Sequence, residues 1–112
     1  MINRSLLIIK AKHPFLDWLK SLPEPANISL EEVNWENSAF LLQDHDPEDQ
    51  EEVLAHYYDI IFENELMGWW TDKEDWPKNR DLTLFKEWFD FEFHSMVFDL
   101  VDEPLLQYEP NQ

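Results

Sequence analysis

A single glycine, Gly68, in a chain of 112 residues is the feature that most narrows what this sequence can fold into. Tight two-residue hairpins need residues that accept positive φ, and glycine is the usual one, so a protein built mainly of short hairpins is excluded. Loops that cradle phosphate need several glycines to let the backbone approach the anion, which removes that class of nucleotide site as well. What remains is a chain of helices and a few strands joined by longer connections. Gly68 itself follows a long apolar-periodic run, and the simplest role for it there is a helix stop in the left-handed conformation.

The interior has ample material. Hydrophobic residues make up 44% of the chain and aromatics 15%, with eight Phe and six Trp. Each large side chain buried stabilises by roughly 1.5–3 kcal/mol, enough in sum to offset much of the chain entropy. The length corresponds to one domain over residues 1–112, with 103–112 expected as an irregular tail. Without cysteine there is no disulfide framework, zinc–thiolate site, iron–sulfur cluster or thiol nucleophile. The opening apolar run, Leu6 to Ile9, is cut short by Lys10 and Lys12. That is too short for a membrane span and lacks a secretory cleavage pattern, so a cytoplasmic protein is expected.

The formal charge is −17 and unevenly spread. Residues 1–20 carry four basic side chains and one acid, residues 21–72 carry fourteen acids and no Lys or Arg, and residues 73–112 carry four bases and ten acids. Phosphate neutralisation by Lys and Arg supplies most nucleic-acid affinity, so no nucleic-acid partner is expected, nor an anionic membrane surface. Basic proteins, cations or a second copy of the chain are the partners such a surface admits, although charge of this kind also serves solubility alone.

The pattern along the chain predicts β-α-β-α-α-β, with one further helical turn between the first two strands. Ser5–Ala11 is apolar on both alternating faces, as in a strand covered on both sides. His13-Pro14 opens a helix carrying Phe15, Trp18, Leu19 and Leu22, which Pro23 and Pro25 stop. Ser29 and Glu32 have capping-box spacing for one helical turn, and Ser38–Gln43 reads as a second strand. Asp46 and Pro47 then begin a long helix with the stripe Val53, Leu54, Tyr57, Tyr58, Ile61 and Phe62. Thr71 to Glu74 is a second capping pattern, Asp81 caps a helix through Trp88 and Phe89, and Phe91–Leu100 alternates as a last strand. The expected fold is α+β: a small mixed three-stranded sheet packed with about three helices.

Two groups of residues are candidate sites. Trp69, Trp70, Trp76 and Arg80 gather aromatic area and a guanidinium around the end of the long helix, as interface anchors do. The alternative is a small core corner over the sheet edge with Arg80 paired to nearby acids. Glu92 and His94 share one face of the last strand, with Asp90 in the same row, and could form a general-base pair or two metal ligands. No spacing supplies a third ligand, and a buried, hydrogen-bonded histidine is the alternative. Glu52, His56 and Asp59 match neither the di-iron nor the zinc-protease spacing and read as a solvated helix face. Asp44, Asp46, Glu48 and Asp49 lack the loop of an EF-hand. Ser95 beside His94 on a strand makes no triad by adjacency.

The stretch Glu65-Leu66, Trp69-Trp70-Thr71-Asp72, Trp76-Pro77, Arg80, Phe85, Trp88-Phe89 and Phe93 to Leu100, with the Pro14-Phe15-x-x-Trp18 helix, resembles an uncharacterised family of small acidic bacterial proteins. The resemblance covers nearly the whole chain, most specifically residues 62–104. It implies a cytoplasmic bacterial protein with no assigned activity and supplies no catalytic residues.

Three functional readings follow. The preferred one is a non-enzymatic protein-interaction module, binding a protein partner or associating with itself, and needing no cofactor. The first alternative is a small metal-dependent or acid/base enzyme using Glu92 and His94, with Asp90 or His13 in support. The second is an acidic mimic of nucleic acid, which requires carboxylates spaced like phosphates on one face.

Overall fold

The computed structural model describes residues 1–108, and its sheet is built outward from the central strand β1 (Arg4–Ala11). The chain continues through α1 (His13–Ser21), α2 (Leu30–Val33), β2 (Ala39–Gln43), α3 (Gln50–Met67) and α4 (Leu82–Trp88) to β3 (Phe89–His94). Single 3-10 turns cover Pro47–Asp49 and Lys73–Asp75. The architecture is α+β with a three-stranded sheet, as the sequence pattern predicts. Of the tail expected over 103–112, residues 103–108 carry no helix or strand, and residues 109–112 lie outside the described residues.

The strand order is β2-β1-β3, and both pairings are antiparallel, so the sheet is not mixed. The connections explain the direction. The chain leaves β1 at Ala11 and re-enters beside the same end, with Ala39 opposite Ile8 and the Ser38 carbonyl accepting the Ile9 N–H at 3.1 Å. From Gln43, opposite Arg4 at the far end, the 18 residues of α3 carry it back about 27 Å. It then enters β3 at Phe89, opposite Ala11. At that end Asn34, the residue after α2, holds Ala11 on both sides: its Oδ1 accepts the Ala11 N–H at 2.8 Å, and its Nδ2 donates to the Ala11 carbonyl at 3.0 Å.

All the helices that feed the core lie on one face of the sheet. Ser5, Leu7, Ile9, Leu42 and Phe89 are buried on that face with Phe15, Leu19, Leu54, Ile61, Phe62, Leu66 and Phe85. Phe89 is the hub, its ring 5.2–5.4 Å from those of Phe15, Phe62 and Phe85. Leu6 and Ile8, on the opposite face, are only half-buried. The expectation that β1 is covered on both sides is therefore corrected: this is a two-layer structure whose outer sheet face meets solvent.

Local chemistry accounts for most boundaries. Ser29 and Glu32 form a reciprocal capping box at α2, Asp72 accepts the Glu74 N–H, and Asp81 accepts the Leu84 N–H at 2.8 Å. Asp46 does not cap with its side chain. Its backbone carbonyl takes the Asp49 N–H at 2.9 Å, and a 3-10 turn tightens the approach to α3. Gly68 also departs from expectation, sitting at φ −63° and ψ −22° in the right-handed region. The helix there ends in bonds from the Gly68 and Trp70 N–H groups to Asn64 and Leu66 carbonyls, with no left-handed residue needed.

The last strand stops at His94, short of the expected Leu100. Leu6 faces His94, so continued pairing would set Ile2 opposite Phe98, yet the Ile2 N–H bonds the Val97 carbonyl at 2.8 Å. The register has slipped by one residue, which breaks the ladder and turns the following side chains to the other face.

Candidate functional site

The tryptophans divide into two environments. Trp76 is buried, and its indole donates to the Trp70 carbonyl at 2.8 Å. Trp70 is half-buried and donates to the Asp75 carboxylate at 2.9 Å, while Trp18 of α1 donates to the Asp75 backbone carbonyl at 2.9 Å. Arg80 stacks 5.7 Å from the Trp76 ring, donates to the Pro77 carbonyl at 2.7 Å and pairs with Glu63 at 3.1 Å. These groups fasten the 69–80 loop to α1 and α3, and their polar atoms are spent on one another. Trp69 alone of the three turns away, 39% exposed, onto the opposite side of the α3 terminus.

Glu92 and His94 lie on the outer sheet face, in register with Ile8 and Leu6. Both are half exposed, with His94 Nε2 3.4 Å from the Glu92 carboxylate and Lys10 Nζ 3.2 Å from it. The lysine bond first, and His94 second, hold the Glu92 carboxyl below its ordinary range. His94 is thus solvated rather than buried, because the outer face carries no helix. Among the described residues no three His, Asp or Glu side chains come together as a metal set. His13 is exposed at the start of α1. Glu52 and His56 line an open concavity of about 920 Å³ with Asp44, Asp46 and Asp49, at the far end of the sheet.

Trp69 instead borders a smaller cavity, about 180 Å³, between α3, the 33–38 loop and β1. Its walls are apolar where Ile9, Phe15 and Phe89 contribute, and polar where Glu65, Asn37 and Asn64 do. Glu65 is the unusual member. Its Oε1 is buried and has no hydrogen-bond partner among the described residues. Burial pushes its carboxyl above the ordinary range, and only the Ser38 side chain opposes the shift. Residue types and spacing singled out the aromatics and overlooked this carboxylate. The signal was present: Glu65 follows Ile61 by four and precedes Trp69 by four, which places an acid in the line of the apolar stripe of α3.

A third feature is the segment after β3. Met96, Phe98, Leu100, Val101, Leu105, Leu106 and Tyr108 are seven large apolar side chains, all more than half exposed. Trp35, at 75%, is the most exposed tryptophan.

Among the described residues no helix is long and apolar enough to cross a membrane. The chain matches no protein-family model, no curated protein and no solved structure.

Proposed function

We propose that the protein is a non-enzymatic interaction module whose 96–108 segment docks against a basic protein partner. The observation that carries this reading is the run of seven exposed apolar side chains beyond β3. Exposed apolar area of this density is characteristic of surfaces that become buried on association. Met96, Phe98 and Leu100 would share one face if this stretch, which lies beyond the end of β3 at His94, became extended. Such a segment is suited to adding itself to the sheet edge of another chain. Asp99, Asp102 and Glu103 interleave with the apolar residues, and the whole chain carries −17, so a groove flanked by Lys and Arg is the complementary surface. The solvated state of Glu92 and His94 favours this reading over acid/base chemistry, which profits from a desolvated site.

A photo-crosslinking residue at Leu100 or Leu105, introduced in cells, tests the proposal. A basic protein trapped from both positions, and lost in the Phe98→Asp variant, is the expected result. Crosslinks no stronger than those from exposed Glu24 would end it. Crosslinks to the same chain only would make the partner a second copy.

A further inference from the structure

The cavity beside Trp69 has no part in that docking reading, and its chemistry points to a ligand. We infer that it is a binding site for a protonated primary alkylamine, with Glu65 as the counter-charge and Trp69 at the rim. The site meets three requirements of such a ligand independently.

The first is a buried acceptor with unused capacity. Glu65 Oε1 is shielded from solvent and unbonded among the described residues. A carboxylate in that position is costly unless a donor reaches it, and an ammonium is the donor that also cancels the charge. An ammonium suits the geometry better than a guanidinium. The arginine fork bonds both carboxylate oxygens in parallel, whereas Oε1 is the one oxygen of Glu65 that is buried and unbonded among the described residues.

The second is a partly apolar wall for an alkyl stem. Ile9, Phe15 and Phe89 line the same 180 Å³. At roughly 30 Å³ per water-sized group, that space takes about six such groups, close to a four-carbon chain ending in nitrogen. Asn34, also on the wall, is already committed to Ala11 through both ends of its amide, so it does not compete for the ligand. Trp69 adds an aromatic face of the kind that attracts cations.

The third is the space itself. The chain's single glycine lies on this wall in an ordinary helical conformation, so its backbone freedom is not what the position uses. A Cβ there would meet only the carbonyl oxygens of Asn64 and Glu65, both at 3.6 Å. The missing side chain keeps the wall of the cavity low. The net charge of −17 would further raise the local concentration of any cation.

The alkylammonium could come from a lysine side chain of another protein or from a free small amine, and one experiment separates them. The full chain is titrated with n-butylamine, with a short peptide holding one lysine, and with n-butanol, at constant ionic strength. The Trp69 indole N–H resonance is followed by NMR. Saturable shifts with n-butylamine, none with n-butanol, and about a ten- to hundredfold weaker affinity in Glu65→Gln are expected. Tighter binding of the peptide than of n-butylamine would identify lysine as the source, and the reverse would identify a free amine. No saturable shift with either amine would overturn the inference. So would equal binding by n-butanol, or by a Glu65→Gln protein that melts as a folded domain.

Discussion

Trp76 donates its indole N–H to the main-chain carbonyl of Trp70 at 2.8 Å, and Trp70 passes its own indole N–H to Asp75. The two rings and the acid form a closed relay that holds the 69–80 loop against α1 through Trp18. Trp76→Ala removes the buried ring and is expected to destabilise by about 3–5 kcal/mol. Asp75→Ala leaves the Trp70 donor without its acceptor and is expected to cost about 1–2 kcal/mol. Urea unfolding followed by circular dichroism measures both, and equal effects would show that the relay is not organised around the Trp76 ring.

Glu65 has a carboxyl raised by burial from an ordinary value of 4.5. Between that value and the folded one, the native state holds a proton that the unfolded chain has released. The stabilising contribution is therefore whole below 4.5 and lost as pH rises through the folded value. Glu36 is the other carboxylate on the cavity wall, and Ser38 and Asn64 are its neutral neighbours. Glu65→Gln should accordingly melt higher than the native chain at neutral pH, by about 1 kcal/mol or more in stability. That advantage should shrink as pH falls towards 4.5, which paired thermal melts across pH would reveal.

Gly68 sits where alanine fits without strain, with the nearest non-neighbouring atoms at 3.6 Å. Gly68→Ala should raise stability by about 0.4–1 kcal/mol, chiefly by restricting the unfolded chain. Chemical denaturation with an unchanged slope and a higher midpoint is the expected signature.

Lys10 is the main reason the Glu92 carboxyl is held low. In Lys10→Ala the Glu92 titration, read by carbon-detected NMR, should move up towards the ordinary range. A group held low stabilises above its unfolded value and loses that contribution as pH falls through its folded value. The pair is solvated, so 1 M salt should reduce the difference between the two proteins.

With fourteen acids and no Lys or Arg between residues 21 and 72, the folded chain repels itself. Added sodium chloride, which shortens the screening length to about 10 Å at 0.1 M, should raise the melting temperature. A melting temperature that falls with salt would show that attractive pairs such as Lys86 with Glu51 outweigh the repulsion.

The parts legible from sequence were those that local chemistry decides. Ser29 with Glu32, Asp81 before Leu82, and the stripe from Val53 to Phe62 each carry their outcome within a few residues. Strand direction was not legible, because it depends on which end of β1 the chain reaches after two long connections. The slip at Ile2 and Val97 does leave a trace: apolar residues occupy odd positions at Phe91 and Phe93 and even positions at Met96, Phe98 and Leu100, a change of phase that a single strand over 91–100 does not accommodate. Within the candidate sites, residue type identified aromatic mass at 69, 70 and 76, but only packing determines that Trp76 is enclosed while Trp69 and Trp35 face outward. Glu65 is one of fourteen acids between residues 21 and 72, and only packing sets its depth.

Asn34 imitates a missing strand. One planar amide offers Ala11 the donor and acceptor that a neighbouring peptide unit would have offered. Slow hydrolysis of that amide to aspartate would keep the outline of the side chain and its acceptor but delete its donor. It would also add a negative charge to a chain already rich in them. The junction between α2 and the sheet would then loosen from its polar end, with every apolar contact still in place.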